Sequence, residues 1–232
     1  MHGLLIADNS AALGYLRSPG GAVLALDLTH GNVLWRTKAA AWPLLALPDK
    51  LIGARSPVPH ALAIVVLEAS SGREVRISKP LLLPEWVEVS PTNESVFSLR
   101  AWGEDDIVEV HWHAHARYRG GAAPNARVLE AGKRDAQGAF QFDLASGEIA
   151  VIPAAAGRGA RLAEAPAASP AVAAESDVIE QHDIGSRCFQ LVAPAGETSE
   201  LLVRAVDVRS GQTLWETAVG EVSSRRPRPP RP

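Results

Sequence analysis

Three histidines at alternate positions, His111, His113 and His115, are the residues whose types and spacing point most directly to chemistry. In an extended strand, alternate side chains project from one face and follow each other at about 6.6–6.8 Å. Two imidazoles of a His-x-His pair can share a zinc ion, and Glu109 on the same face would add a carboxylate ligand. The spacing therefore predicts a metal site formed by the three histidines.

A solvated strand face is the alternative explanation of the same residues. From residue 108 to residue 119, apolar side chains alternate with a face that is wholly polar. Arg117 and Arg119 continue the polar face beyond the histidines, and their charges would repel a metal cation. A strand with one polar face suits an outer or edge position next to water and needs no metal.

The histidine strand belongs to a chain that contains a repeated hairpin. Residues 25–37, with the sequence ALDLTHGNVLWRT, return as residues 205–217, with the sequence AVDVRSGQTLWET. The apolar alternation predicts a strand, the aspartate can accept backbone N–H groups of the turn, and the glycine allows the positive φ of a tight reversal. A tryptophan on the returning strand can bury roughly 150–250 Å². The motif residues are Asp27, Gly31 and Trp35 in the first copy and Asp207, Gly211 and Trp215 in the last.

Two weaker copies of the hairpin lie between these. One has its turn glycine at Gly72 and lacks both the aspartate and the tryptophan, and the other keeps Asp143 and Gly147 without the tryptophan. Gly31 and Gly72 are one repeat apart on the scale of about 40–45 residues for a four-stranded unit. The longer intervals to Gly147 and Gly211 predict insertions at residues 120–137 and 153–176.

The pattern A-x-D-x-x-x-G-x-x-L-W resembles the blade motif of the pyrroloquinoline-quinone-like (PQQ-like) β-propeller repeats. These occur in quinoprotein dehydrogenases and in non-enzymatic outer-membrane assembly propellers. The resemblance implies an all-β, β-propeller-like fold with about four recognisable four-stranded blades. Four blades are at the lower limit of about 4–8 for a closed propeller, whereas relatives usually have seven or eight, so the chain is expected to form either a small closed ring or an incomplete ring that is an arc of a larger one. It also implies that Trp35 and Trp215 each pack against the neighbouring blade.

The resemblance favours a non-catalytic scaffold that binds another protein or a small ligand. The alternative is a fragment of a larger quinoprotein-like dehydrogenase, or a metal-binding enzyme that uses the histidine strand. Quinoproteins hold PQQ and calcium on the propeller axis, and many carry a vicinal disulfide, which the single cysteine, Cys188, excludes. No calcium-ligand cluster stands out, so we predict neither PQQ nor calcium and assign no catalytic residue.

Composition and charge limit the remaining possibilities for domain organisation, binding partners and cellular compartment. The chain has 232 residues, 47% hydrophobic and 21% charged, which suits one propeller-like domain over residues 1–221 and a disordered proline- and arginine-rich tail over 222–232. A net charge of −3 does not favour nucleic acid, and no apolar run is long enough to span a membrane. The absence of a recognisable signal peptide predicts a cytoplasmic protein, or a periplasmic one if the N-terminus is truncated. Cys188, in an apolar run, is predicted to be a buried core residue.

Overall fold

The computed structural model describes residues 5–7, 12–18, 20–89, 96–104, 106–116, 134–153, 178–193 and 200–221. Every regular element of these residues is a β-strand. The strands are β1 Leu5–Ala7, β2 Leu13–Arg17, β3 Val23–Asp27, β4 Val33–Thr37, β5 Trp42–Ala46, β6 Lys50–Arg55, β7 Ala61–Glu68, β8 Glu74–Ile77, β9 Leu81–Leu82, β10 Phe97–Glu104, β11 Ile107–His115, β12 Asp135–Asp143, β13 Ile149–Ile152, β14 Val178–Ile184, β15 Arg187–Val192, β16 Glu200–Asp207 and β17 Thr213–Glu221. In this part of the chain, no helix has the length and apolarity to cross a membrane.

The strands form four antiparallel sheets in which sequence neighbours pair. The first sheet has the order β1-β2-β3-β4, the second β5-β6-β7-β8 with β9 on β7, the third β10-β11-β12-β13, and the fourth β14-β15-β16-β17. An up-and-down sheet of four strands is the blade of a propeller. The prediction of an all-β, propeller-like fold with four four-stranded blades is confirmed.

The third sheet differs from the sequence prediction in the position of one strand and in the start of another. The histidine strand β11 pairs with β10 on one side and β12 on the other, so it is an inner strand and not an edge strand. No sheet formed by the described residues covers its polar face. Strand β12 begins at Asp135, inside the expected insertion 120–137. Most of that insertion, most of 153–176 and the tail 222–232 lie outside the described residues.

One turn geometry closes the outer hairpin of all four blades. The turn glycines have φ between +68° and +79°, and each donates its N–H to the carbonyl of the residue four positions earlier. In three blades that residue is an aspartate, and its Oδ1 also accepts backbone N–H groups two and three positions ahead. The second blade has Glu68, whose carboxylate accepts the Ser71 hydroxyl. Sequence alone predicted this turn because every bond in it is local.

These turn carboxylates predict a loss of stability in acid. The backbone N–H and then the hydroxyl of Ser210 hold the pKa of Asp207 below its usual value. Because the folded pKa is the lower one, the stabilisation is present above about pH 4 and is lost as pH falls through the folded value. We expect Asp207→Asn to reduce the fall in the free energy of unfolding below about pH 4, measured by denaturant titration. Asp49→Asn, at a carboxylate 76% exposed and outside the four turns, should leave the fall unchanged, and equal effects would contradict the assignment.

Three apolar clusters define the order of the sheets in space. One cluster joins the second and third sheets through residues such as Ile64 and Phe140. Another joins the first and second sheets around Trp35, and the last joins the fourth and first sheets around Leu24 and Phe189. The blades therefore follow one another in the order fourth, first, second, third. None of these three clusters contains residues of both the third and the fourth sheets.

In three of the four blades, the side chain four positions after the turn glycine docks the blade on the next one. Trp35 donates from Nε1 to the Ala69 carbonyl at 2.8 Å and covers Gly72, where an added Cβ would lie 2.5 Å from the ring. Trp215 covers Gly31 in the same way and donates to the Leu28 carbonyl at 3.3 Å. This is the packing that the resemblance implied for both tryptophans.

The second blade makes the same contact with an arginine. The side chain of Arg76 lies over Gly147, where an added Cβ would be 2.8 Å from its Cδ, and its guanidinium donates to the Ala145 carbonyl. The aliphatic stem of arginine can cover apolar surface while its charged end makes hydrogen bonds. Arginine thus takes the place of the missing tryptophan, which the sequence pattern did not reveal.

This contact is missing between the third and fourth blades. In the other three blades, a β-bulge turns the docking residue toward the next sheet. Strand β13 instead pairs residue by residue with β12, and Val151, at the docking position, is 65% exposed. Gly211, which would receive it, has nothing within 4 Å of an added Cβ. The described blades form an open arc and not a closed ring.

Candidate functional site

The outer face of the third sheet is the surface of the arc that carries the candidate residues. The inner face packs on the second sheet through buried residues such as Val110 and Phe140. Strand alternation places the polar side chains on the opposite face. We define this outer face by Arg100, Trp102, Glu109, His111, His113, His115, Asp135 and Gln141. In the part of the chain that the structure describes, no sheet covers it.

Trp102 and His111 form an aromatic pair on this face. Their ring centroids are 4.7 Å apart at an interplanar angle of 78°, an edge-to-face arrangement. His111 Nε2 lies 2.6 Å from Glu109 Oε1, so the carboxylate helps to fix the imidazole. Trp102 nevertheless stays 46% exposed. The sheet thus presents an indole whose orientation is set by its neighbours.

His113, His115 and Asp135 form a second group at the end of the same face. His113 Nε2 lies 2.7 Å and His115 Nδ1 lies 3.4 Å from Asp135 Oδ1. The two imidazole rings meet edge to face with their centroids 4.0 Å apart. One ligand atom from each residue lies within 4.8 Å of the other two. These three side chains are candidate metal ligands.

The structure brings together two of the three histidines that the spacing suggests as metal ligands. His113 and His115 lie against each other, whereas His111 pairs with Glu109 and Trp102. Asp135 joins His113 and His115 because it lies directly opposite His115 on the next strand. Cross-strand neighbours are about 4.5–5.5 Å apart, closer than alternate residues along one strand. Arg117 and Arg119, which weighed against a metal, lie outside the described residues.

A carboxylate–imidazole pair between the fourth and first blades is the other notable polar group. His182 Nε2 lies 2.6 Å from Glu180 Oε1, and both side chains line a small cavity with Leu16 and Phe189. His182, Asp183 and Ser186 are the residue types of a hydrolase triad. Asp183, however, projects from the face of β14 opposite to that of Glu180 and His182. The pair therefore does not form a triad with Asp183 and Ser186.

Cys188 is fully buried, as predicted. Burial and then the neighbouring Asp183 raise the pKa of its thiol to about 12. A thiol with this pKa stays protonated at neutral pH, and only the thiolate is a good nucleophile or metal ligand. Cys188 is therefore a core residue of the fourth sheet.

Comparison with known proteins gives likenesses of fold alone. No family model and no curated protein matches the chain. Among solved structures, BamB from Moraxella catarrhalis is similar over 92% of this chain, with 16% identity and a TM-score of 0.29. A europium-containing methanol dehydrogenase is similar over 92%, with 12% identity and a TM-score of 0.39. The quinohemoprotein alcohol dehydrogenase ADHIIG from Pseudomonas putida HK5 is similar over 90%, with 12% identity and a TM-score of 0.36.

The matched region is a part of each of these larger proteins. This chain covers 60% of the BamB chain, 41% of the methanol dehydrogenase and 33% of the alcohol dehydrogenase. The propeller-type architecture rests on the four sheets and the docking contacts described above.

Proposed function

We propose that this chain is a non-catalytic, propeller-type scaffold that binds another protein through the outer face of its third blade. The observation that carries the proposal is the exposed Trp102, which meets His111 edge to face on a surface that none of the described blades covers. Tryptophan and arginine are enriched in the residues that dominate binding energy at protein interfaces, and this face also contains Arg100. In this proposal the chain needs neither PQQ nor calcium.

The contrast between the blades supports the proposal. The faces that blades present to each other are mainly apolar, as with Leu24 and Leu26 of the first sheet against the fourth. The outer face of the third sheet combines charged groups with one aromatic anchor, a composition suited to a surface that is wet until a partner binds. The far end of the arc, on the fourth sheet, bears the Arg204–Glu216 ion pair at 2.9 Å and offers no comparable aromatic residue among those described.

Five described ionisable groups have displaced pKa values that also fit a scaffold. Four of them are the turn carboxylates Asp27, Glu68, Asp143 and Asp207, whose pKa values are lowered by hydrogen bonds within the turns. The fifth is the buried thiol of Cys188, whose pKa is raised mainly by burial. Each shift has a structural cause in the blade itself, and none of these groups lies on the outer face.

Photo-crosslinking from the proposed binding face tests the proposal. We expect a benzophenone amino acid at position 141, which is exposed on the same face as Trp102, to give one discrete adduct with another protein in cells of the source organism. The matched control is position 214, because Leu214 is also exposed but lies on the fourth blade. Trp102→Ala, which removes the indole, and His111→Ala, which removes its support, should each weaken the adduct formed from position 141. No adduct from 141, or the same adducts from both positions, would overturn the proposal.

A further inference from the structure

We propose that His113, His115 and Asp135 bind a divalent transition-metal ion, with zinc as the reference ion. The site is independent of the proposed protein partner, since its ligands all come from this chain. It also differs in membership from the site that the histidine spacing predicts, because the third ligand comes from β12.

The sheet brings the three ligands together through its register. His113 and His115 project from the same face of β11, two residues apart. Asp135, the first residue of β12, is paired directly with His115. Because all three are attached to paired strands, their Cα positions are fixed by the backbone hydrogen bonds of the sheet. Only side-chain torsions remain to be set when an ion binds.

The observed distances are close to those of a coordinated ion. A tetrahedral zinc ion with bonds of about 2.0–2.1 Å separates its ligand atoms by about 3.3–3.4 Å. The separation between His115 Nδ1 and Asp135 Oδ1 is 3.4 Å, which needs no adjustment. His113 Nε2 lies 2.7 Å from the same oxygen, a hydrogen-bond distance that would open by about 0.6 Å to admit the ion. A small rotation of an exposed imidazole provides this change.

The donor set indicates the class of ion. Two imidazole nitrogens and one carboxylate oxygen suit zinc, copper or nickel, whereas calcium takes six to eight oxygen ligands and magnesium takes an octahedron of oxygens. With neutral imidazoles, the carboxylate gives the three ligands a net charge of about −1. Three protein ligands leave at least one coordination position for water or for a group of a bound partner. The side chains are 38%, 46% and 55% exposed, so an ion has direct access.

Metal titration of the purified, untagged chain tests the site. We expect isothermal titration with Zn²⁺ to detect one ion per chain, and Zn²⁺ to raise the melting temperature, because an ion that binds the folded state stabilises it. His115→Ala and Asp135→Asn should each weaken the affinity by more than about tenfold, since even the loss of a group outside the direct ligands costs about 10–100-fold.

His111→Ala is the matched control, because this imidazole lies on the same strand face but is bound to Glu109 and not to Asp135. It should bind Zn²⁺ as the unaltered chain does. No binding by the unaltered chain would overturn the proposal and would mean that Asp135 only hydrogen-bonds the two histidines. An equal loss of affinity in His111→Ala would also overturn it. Because the titration contains no other protein, its result does not depend on the crosslinking result.

Discussion

Replacement of Gly72 by alanine is expected to lower the free energy of unfolding by about 2–5 kcal/mol. Gly72 has φ of +68°, and left-handed backbone costs a residue with a Cβ about 1–2 kcal/mol. The added Cβ would lie 2.5 Å from Cε3 of Trp35, so the docked indole must move. Overpacking of this kind costs about 1–3 kcal/mol more. Chemical denaturation of the purified chain measures the sum.

Gly211→Ala separates the two causes. Gly211 has φ of +69°, nearly the same as Gly72, but nothing lies within 4 Å of its added Cβ. We therefore expect only the backbone cost, about 1–2 kcal/mol. The difference between the two variants measures the contact between the first and second blades. Equal losses would show that Trp35 does not pack on Gly72.

Trp35→Ala is expected to lower the free energy of unfolding by about 3–5 kcal/mol. The side chain is 9% exposed, and its ring centroid lies 5.8 Å from that of Tyr15. Its removal leaves a cavity between two blades and leaves the Ala69 carbonyl without the bond from Nε1. The loss at Trp215 should be smaller, because this side chain is only partly buried and its hydrogen bond is longer, at 3.3 Å.

Leu34→Ala provides the control for Trp35→Ala in the same denaturation experiment. Leu34 precedes Trp35 on β4 and is 50% exposed, so its truncation should stay within about 0.5 kcal/mol of the unaltered chain. A change below about 1 kcal/mol in Trp35→Ala, comparable to that of Leu34→Ala, would contradict the docking of the first blade on the second.

The local parts of this fold follow from the sequence. Asp27 and Gly31 form a turn whose bonds all lie within a few residues, so the pattern that predicts one copy predicts the other three. Their spacing also yields four blades. The docking of Trp35 was implied only by the resemblance to PQQ-like repeats, because its partner Gly72 is distant in sequence.

The spatial order of the blades and the membership of the proposed metal site did not follow from the sequence. Arg76 replaces a tryptophan, and its role is visible only when it lies on Gly147. The residue types do not reveal that β13 pairs with β12 in a regular register and that Val151 is exposed. Asp135 lies inside the insertion that the sequence predicts at residues 120–137, and only the pairing of β11 with β12 places it opposite His115. Each of these features depends on contacts between distant parts of the chain.

Distances between spin labels at equivalent positions test the open arc most directly. In each pair, the first label is three residues after the turn glycine of its blade. The second label is one residue after the turn glycine of another blade. All eight positions are exposed, and the buried thiol of Cys188 should remain unlabelled. The pairs are Leu34 with Arg73, Val75 with Glu148, Leu214 with Asn32, and Ala150 with Gln212.

Double electron–electron resonance should give similar, short distances for the first three pairs, because those blades dock on one another. The pair of Ala150 with Gln212, between the third and fourth blades, should give a clearly longer distance. An equally short distance for that pair would mean a closed ring of four blades. A long distance between Leu214 and Asn32 would mean that the fourth blade does not dock on the first, and either result would contradict the open arc.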